Sequence, residues 1–220
     1  VMPAVGDASV AIAQVAQMPA GSRVLVVFDY DAAQAGELNR VAQALLQSPA
    51  LRNAQIVIAS LNPQGSSMTQ TVLRSLPDLH YTDLGFAPGQ VNGVQALLAK
   101  AGDVKLIIEV AGSSDTVRWW AEQLKANQSE IPLVVGVSAG AEPLAMPYLQ
   151  SGQVKGLISG FPGAVAYLNA TGKMNTYSQD QIENYQIPLD ALALANYVMV
   201  ALIVAGLIAA LLRGAGRRSA

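Results

Sequence analysis

Residues 24–47, VLVVFDYDAAQAGELNRVAQALLQ, hold one complete unit of the fold. Val24 to Phe28 form an unbroken apolar run, the pattern of a strand covered on both faces, with no alternation that would leave one face in water. A polar break carrying Asp29 and Asp31 follows. From Glu37 to Gln47 the apolar positions Leu38, Val41, Ala42 and Leu45 then recur at helical spacing.

The same alternation runs outward from this unit. Ile56 to Ala59 is the next strand, with a helix around Met68 to Ser75. A strand near Tyr81 to Leu84 leads to a helix from Gln90 to Lys100, and Leu106 to Val110 leads to one from Thr116 to Ala126. Leu133 to Val137 leads to Glu142 to Gln150, and a short strand is expected at Gly156 to Ser159. Short apolar strands separated by helices predict a parallel sheet covered on both faces. The expectation is a three-layer α/β domain over residues 1–169, Rossmann-like or flavodoxin-like. At its start, Asp7 to Gln17 reads as a helix capped by Asp7 and stopped by Pro19. Residues 170–190 are polar and poorly periodic, as in a linker, with a helical turn near Gln179 to Tyr185.

Composition removes several functions. The chain has 220 residues, no cysteine, one histidine (His80) and 52% hydrophobic residues, which excludes disorder, disulfides, thiolate zinc sites and a cysteine nucleophile. Residues 1–190 carry 10 Lys or Arg against 15 Asp or Glu, with no basic stripe, so nucleic acid is not an expected partner.

The hydrophobic excess is concentrated near the end. Ala191 to Leu212 is 22 residues without a charge, 20 of them hydrophobic, the exceptions being Asn196 and Gly206. A helix of that length spans roughly 33 Å, against a hydrocarbon core of about 30 Å. It is therefore expected to cross the lipid bilayer. Arg213, Arg217 and Arg218 follow it, whereas Asp180, Glu183 and Asp190 outnumber Lys173 before it. The rule that cations stay on the cytoplasmic side puts the tail, 213–220, inside the cell membrane and the body on the extracytoplasmic side. An exported body needs a signal peptide or first membrane helix, expected before Val1.

Ligands of doubly wound sheets bind beyond the carboxyl ends of the strands. Asp29 and Asp31, two apart at the first such end, are candidates for a catalytic pair or for divalent-metal ligands. An apolar strand followed by D-x-D resembles the first motif of the haloacid dehalogenase phosphatases. That family's later motifs supply a lysine and a further acidic pair, where this chain offers only isolated Glu109 and Asp115. The competing role for Asp31 is to cap the next helix.

Gly136-Val137-Ser138-Ala139-Gly140 is a G-x-S-x-G between strand and helix, the setting of the α/β-hydrolase nucleophile elbow, which makes Ser138 a catalytic candidate. His80 lies upstream of it, so the serine, acid, histidine order of those hydrolases is not met. Loops carrying Ser66, Gly89, and Ser113 with Ser114 open helices and could frame an anion, or simply cap. No G-x-G-x-x-G or G-x-x-x-x-G-K-S/T occurs, and no cofactor is expected. Trp119 and Trp120 are adjacent on a helix and cannot share a face, so one is expected to pack on the sheet and the other to contact a partner or membrane lipid.

The phrases FDYD…AGEL, SLNPQG, LGFAPGQ…G and VSAGAEPLAMPYLQSGQVKGLISGFPGAVAYL resemble a family of bacterial membrane-anchored extracytoplasmic α/β proteins to which no activity is assigned. The resemblance implies an N-terminal membrane segment, an extracytoplasmic body and a C-terminal membrane helix. The resulting expectation is a noncatalytic binding or accessory module of a membrane assembly, with a protein partner in the membrane. The alternative is a hydrolase or small-anion receptor using the strand-end carboxylates and the Gly/Ser loops.

Overall fold

The computed structural model describes residues 5–177 and 179–216, without side chains at 5–8, 181, 184, 188, 189, 192 and 209–216. The chain divides into two units, Val1–Tyr177 and Ser178–Ala220.

In the first unit the elements run α1 (Val5–Ala16), β1 (Arg23–Asp29), α2 (Ala35–Leu46), β2 (Gln55–Ser60), α3 (Gly65–Leu73), β3 (Tyr81–Phe86) and α4 (Val91–Ala101). They continue as β4 (Val104–Ala111), α5 (Ser114–Ala126), β5 (Leu133–Val137), α6 (Glu142–Gln150), β6 (Gly156–Ser159) and α7 (Gly160–Ala170). All six strands are parallel, in the order β3-β2-β1-β4-β5-β6. That order is the Rossmann one; a flavodoxin-like sheet would read 2-1-3-4-5. The fold is thus α/β and Rossmann-like, with its switch point between β1 and β4.

One face of the sheet, with Leu25, Val27, Val57, Ile107, Val135 and Val137, is covered by α4, α5 and α6 through Val94, Leu97, Val117, Trp120, Leu124 and Ala145. Residues of the intervening positions, such as Val24, Val26, Phe28 and Ile58, are equally buried, as continuous apolar strands require. On that second side Gly136 lets α2 come close: a Cβ there would lie 2.5 Å from Val41 Cγ1. Gly156 does the same for α1, since a Cβ would lie 2.5 Å from Ala11 Cα.

Three expectations need correction. The first helix begins at Val5, so Asp7 lies inside it and does not precede it as a cap; its side chain is outside the described set. The body does not end at residue 169: α7, with two glycines and a proline in GFPGAVAYLNA, was hidden by its own composition, and the unit closes at Tyr177 after a 3-10 turn over Lys173–Thr176. Residues 170–190 are not one linker, because a helix starts at Gln179.

The second unit is that helix, α8 (Gln179–Gly216), 38 residues long. The described side chains of the apolar run are 191 and 193–208, and every one is exposed. Among the described residues no helix is long and apolar enough to cross a membrane. The span expected over 191–212 reaches beyond them at 192 and 209–212, and the basic tail, 213–220, lies outside the described side chains altogether.

Candidate functional site

The carboxyl ends of β1, β4, β5 and β6 form the crevice in which a Rossmann-like sheet would take a ligand. Here the chain's own side chains hydrogen-bond across it. Gln34, at the start of α2, accepts from the Asp31 amide (3.3 Å) and donates to the Gly112 carbonyl (3.4 Å), bridging the switch point. A Cβ at Gly112 would strike Gln34 Oε1 at 2.3 Å. One turn on, Glu37 Oε1 accepts from the Ala139 amide at 3.1 Å and stands where a Cβ on Gly160 would be, 2.3 Å away. Glu142, in the first turn of α6, accepts from the Ser159 hydroxyl at 2.6 Å.

The candidates from the sequence are scattered by this arrangement. Asp29 is 2% exposed and its carboxylate accepts from the Leu61 amide (2.5 Å) and from the Trp120 indole N–H (3.3 Å). The Ser60 hydroxyl lies at 3.4 Å from Asp29, but that single proton is better placed for the Phe28 carbonyl at 2.7 Å. Asp31 instead accepts from the Ala33 amide at 2.8 Å, closing the turn before α2. Both carboxylates are therefore used by N–H donors. Among the described residues no group of three or more Asp, Glu or His could hold a metal ion.

Ser113 caps α5 by accepting from the Asp115 amide (3.1 Å), and Ser114 is that helix's first residue. Ser66 lies inside the first turn of α3, half-buried. Gly89 is exposed at φ +104, and its carbonyl accepts from the Asn92 amide at the start of α4. None of these four is brought to the switch point by a hydrogen bond among the described residues.

Ser138 follows β5 as expected, half-buried, with its carbonyl accepting from Ala141 (3.0 Å) and Glu142 (3.2 Å). In a nucleophile elbow the amide after the serine stabilises the oxyanion. Here that amide is Ala139's, and Glu37 already holds it. A carboxylate in the oxyanion position repels the charge the reaction would create there. His80 is exposed and precedes β3, at the opposite edge of the sheet, where it lines an open cleft of about 320 Å³ with Arg23 and Gln55.

Sequence reasoning missed Glu109 as a partner of Asp29. The strand register pairs Val27 with Glu109 and Asp29 with Ala111, which puts the two carboxyls on one face of adjacent strands. Glu109 is fully buried, and both its carboxyl oxygens lack a hydrogen-bond partner. Burial raises the Asp29 carboxyl to about 6, with the Leu61 and Trp120 donors pulling the other way. Burial also pushes Glu109 well above the ordinary carboxyl range, and the neighbouring Asp29 charge adds to it. The Thr116 hydroxyl opposes this weakly, because its proton goes to the Ser113 carbonyl at 2.9 Å. A charged residue inside LIIEV was the available signal.

No protein-family model matches the chain, and no curated protein matches it significantly. Among solved structures it is similar to a Listeria monocytogenes protein described as a UDP-N-acetylglucosamine 2-epimerase, at 18% identity and a TM-score of 0.39, over 70% of this chain and 43% of that one. It is also similar to levodione reductase, at 14% identity and a TM-score of 0.33, over 75% of this chain and 66% of that one. The chain thus spans less than two thirds of either neighbour's length.

Proposed function

We propose that the protein is a membrane-anchored, noncatalytic module: an extracytoplasmic Rossmann-like body held by α8 in the bilayer, serving as a binding or accessory subunit of a membrane assembly. The observation that carries this reading is the surface of α8. Between Leu194 and Ile208 it exposes ten large apolar side chains, among them Val198, Leu202 and Ile203, with exposures of 48% to 75%. They lie on all sides of the helix. A helix that is apolar all round requires an apolar surrounding, either a protein core or lipid. A run of this length with every large apolar side chain exposed favours lipid.

The noncatalytic half of the reading is supported by the crevice. Gln34, Glu37 and Glu142 hydrogen-bond across it, and the Ala139 amide that a hydrolase would need is engaged. The arginines at 213, 217 and 218 support a cytoplasmic tail, and the resemblance to bacterial membrane-anchored proteins fits the same layout.

The absence of cysteine makes orientation directly measurable. Single-cysteine variants Ala126→Cys, in the body, and Ser219→Cys, in the tail, are exposed in intact bacteria to a membrane-impermeant maleimide. Labelling at 126 and protection at 219 is the expected result. Labelling of 219 alone, or of neither until lysis, contradicts the proposed topology.

A further inference from the structure

We propose that Asp29 and Glu109 hold one proton between them at neutral pH and form a proton-operated latch that fastens α5 to the sheet at the switch point. Asp29 ties three elements together: it ends β1, accepts from Leu61 just beyond β2, and accepts from Trp120 on α5. Its backbone carbonyl also receives the Gly112 amide beyond β4 at 3.0 Å. Those donors favour its ionised form. Glu109, on the neighbouring strand and the same face, has no donor for either oxygen and lies among Val27, Val135 and Trp120 in the apolar layer beneath α5. Two ionised carboxylates cannot share that layer without a cation.

Among the described residues no cation faces them. On β1, Arg23 sits at the strand's far end and donates to the Ala101 carbonyl and Gln55. On β4, Lys105 is exposed and paired with Asp103 at 2.8 Å. The charged residues of α5, namely Asp115, Arg118, Glu122 and Lys125, are all exposed, as is Lys100 of α4. On α6, Glu142 is engaged with Ser159, and Tyr148 with Glu122. β2 and β5 bring no charged side chain to this face, only Ser60. The proton that neutralises the pair therefore rests on Glu109. Losing it places a second charge under Trp120, and the low-energy response is for α5 to lift and admit water.

The test is amide hydrogen exchange of α5 in the detergent-solubilised full chain from pH 5 to 8, corrected for intrinsic exchange. If opening α5 releases the proton, its opening constant rises with pH by up to about tenfold per unit. In Glu109→Gln, which keeps the shape and cannot ionise, that rise is reduced or abolished. A parent and a Glu109→Gln variant with the same pH slope overturn the proposal. An infrared measurement on the parent alone guards against a variant that fails to fold. A protonated-carboxyl C=O band at pH 7 is expected, and its absence also overturns the proposal.

Discussion

The Glu37 carboxylate and the Ala139 amide, 102 residues apart in sequence, are joined by a hydrogen bond of 3.1 Å across the mouth of the crevice. This bond converts a motif with the outline of a nucleophile elbow into a closed structural turn. Glu37→Ala should destabilise the body by about 1 kcal/mol, the value of a partly exposed charge-assisted bond, read as a lower urea midpoint with unchanged slope. An unchanged midpoint would mean that the bond holds nothing.

The two glycines of GVSAG should behave oppositely. A Cβ on Gly136 collides with Val41, whereas nothing lies within 4 Å of one on Gly140. Gly136→Ala is expected to cost about 1–3 kcal/mol through overpacking, and Gly140→Ala to stay within about 0.5 kcal/mol of the parent. Thermal melts of both decide it; a costly Gly140→Ala would restore the strained-elbow reading.

Removing the Asp29 acceptor leaves the Leu61 amide and the Trp120 indole buried without partners. Asp29→Ala should therefore lower stability by about 2–4 kcal/mol, while Asp29→Asn, which still offers one oxygen, should cost less. Equal melting temperatures for the two variants would argue that these bonds are not what Asp29 contributes.

Stability should also depend on pH in an unusual direction. The folded Asp29 carboxyl is raised by burial from 3.8 to about 6, and Glu109 is raised as well. Groups raised on folding bind protons more tightly in the native state. Their favourable contribution is complete below pH 3.8 and is lost as pH rises through about 6 and onward. Denaturation at pH 5 and pH 7.5 should show the body more stable at the lower pH, by about 1 kcal/mol from Asp29, with Glu109 adding in the same direction. A midpoint that rises with pH would contradict the burial of an unpaired charge.

Much of this architecture is written in the strands. VLVVF, IVIA, LIIEV and LVVGV declare themselves because a parallel strand is apolar on both faces, and their spacing by helices leaves few topologies. Strand order was not legible, since Rossmann and flavodoxin sheets share that spacing. Helix α7 was not among the expected elements, because Gly160, Pro162 and Gly163 interrupt the helical pattern where it starts. At the site, Asp31 closes a turn and Ser113 caps α5, as their residue types suggest. The pairing of Asp29 with Glu109 depends on register between strands about 80 residues apart in sequence, a relationship that no local pattern contains.

Anchoring through α8 is tested most directly by where the full chain goes when cells are broken without surfactant. Membranes washed with alkaline carbonate should retain the protein, and Leu202→Arg with Val204→Arg, which places two charges in the apolar run at a cost of about 2.5–3.5 kcal/mol each, should weaken that retention. Recovery of the unaltered chain in the aqueous supernatant, monodisperse and free of lipid, would contradict the account.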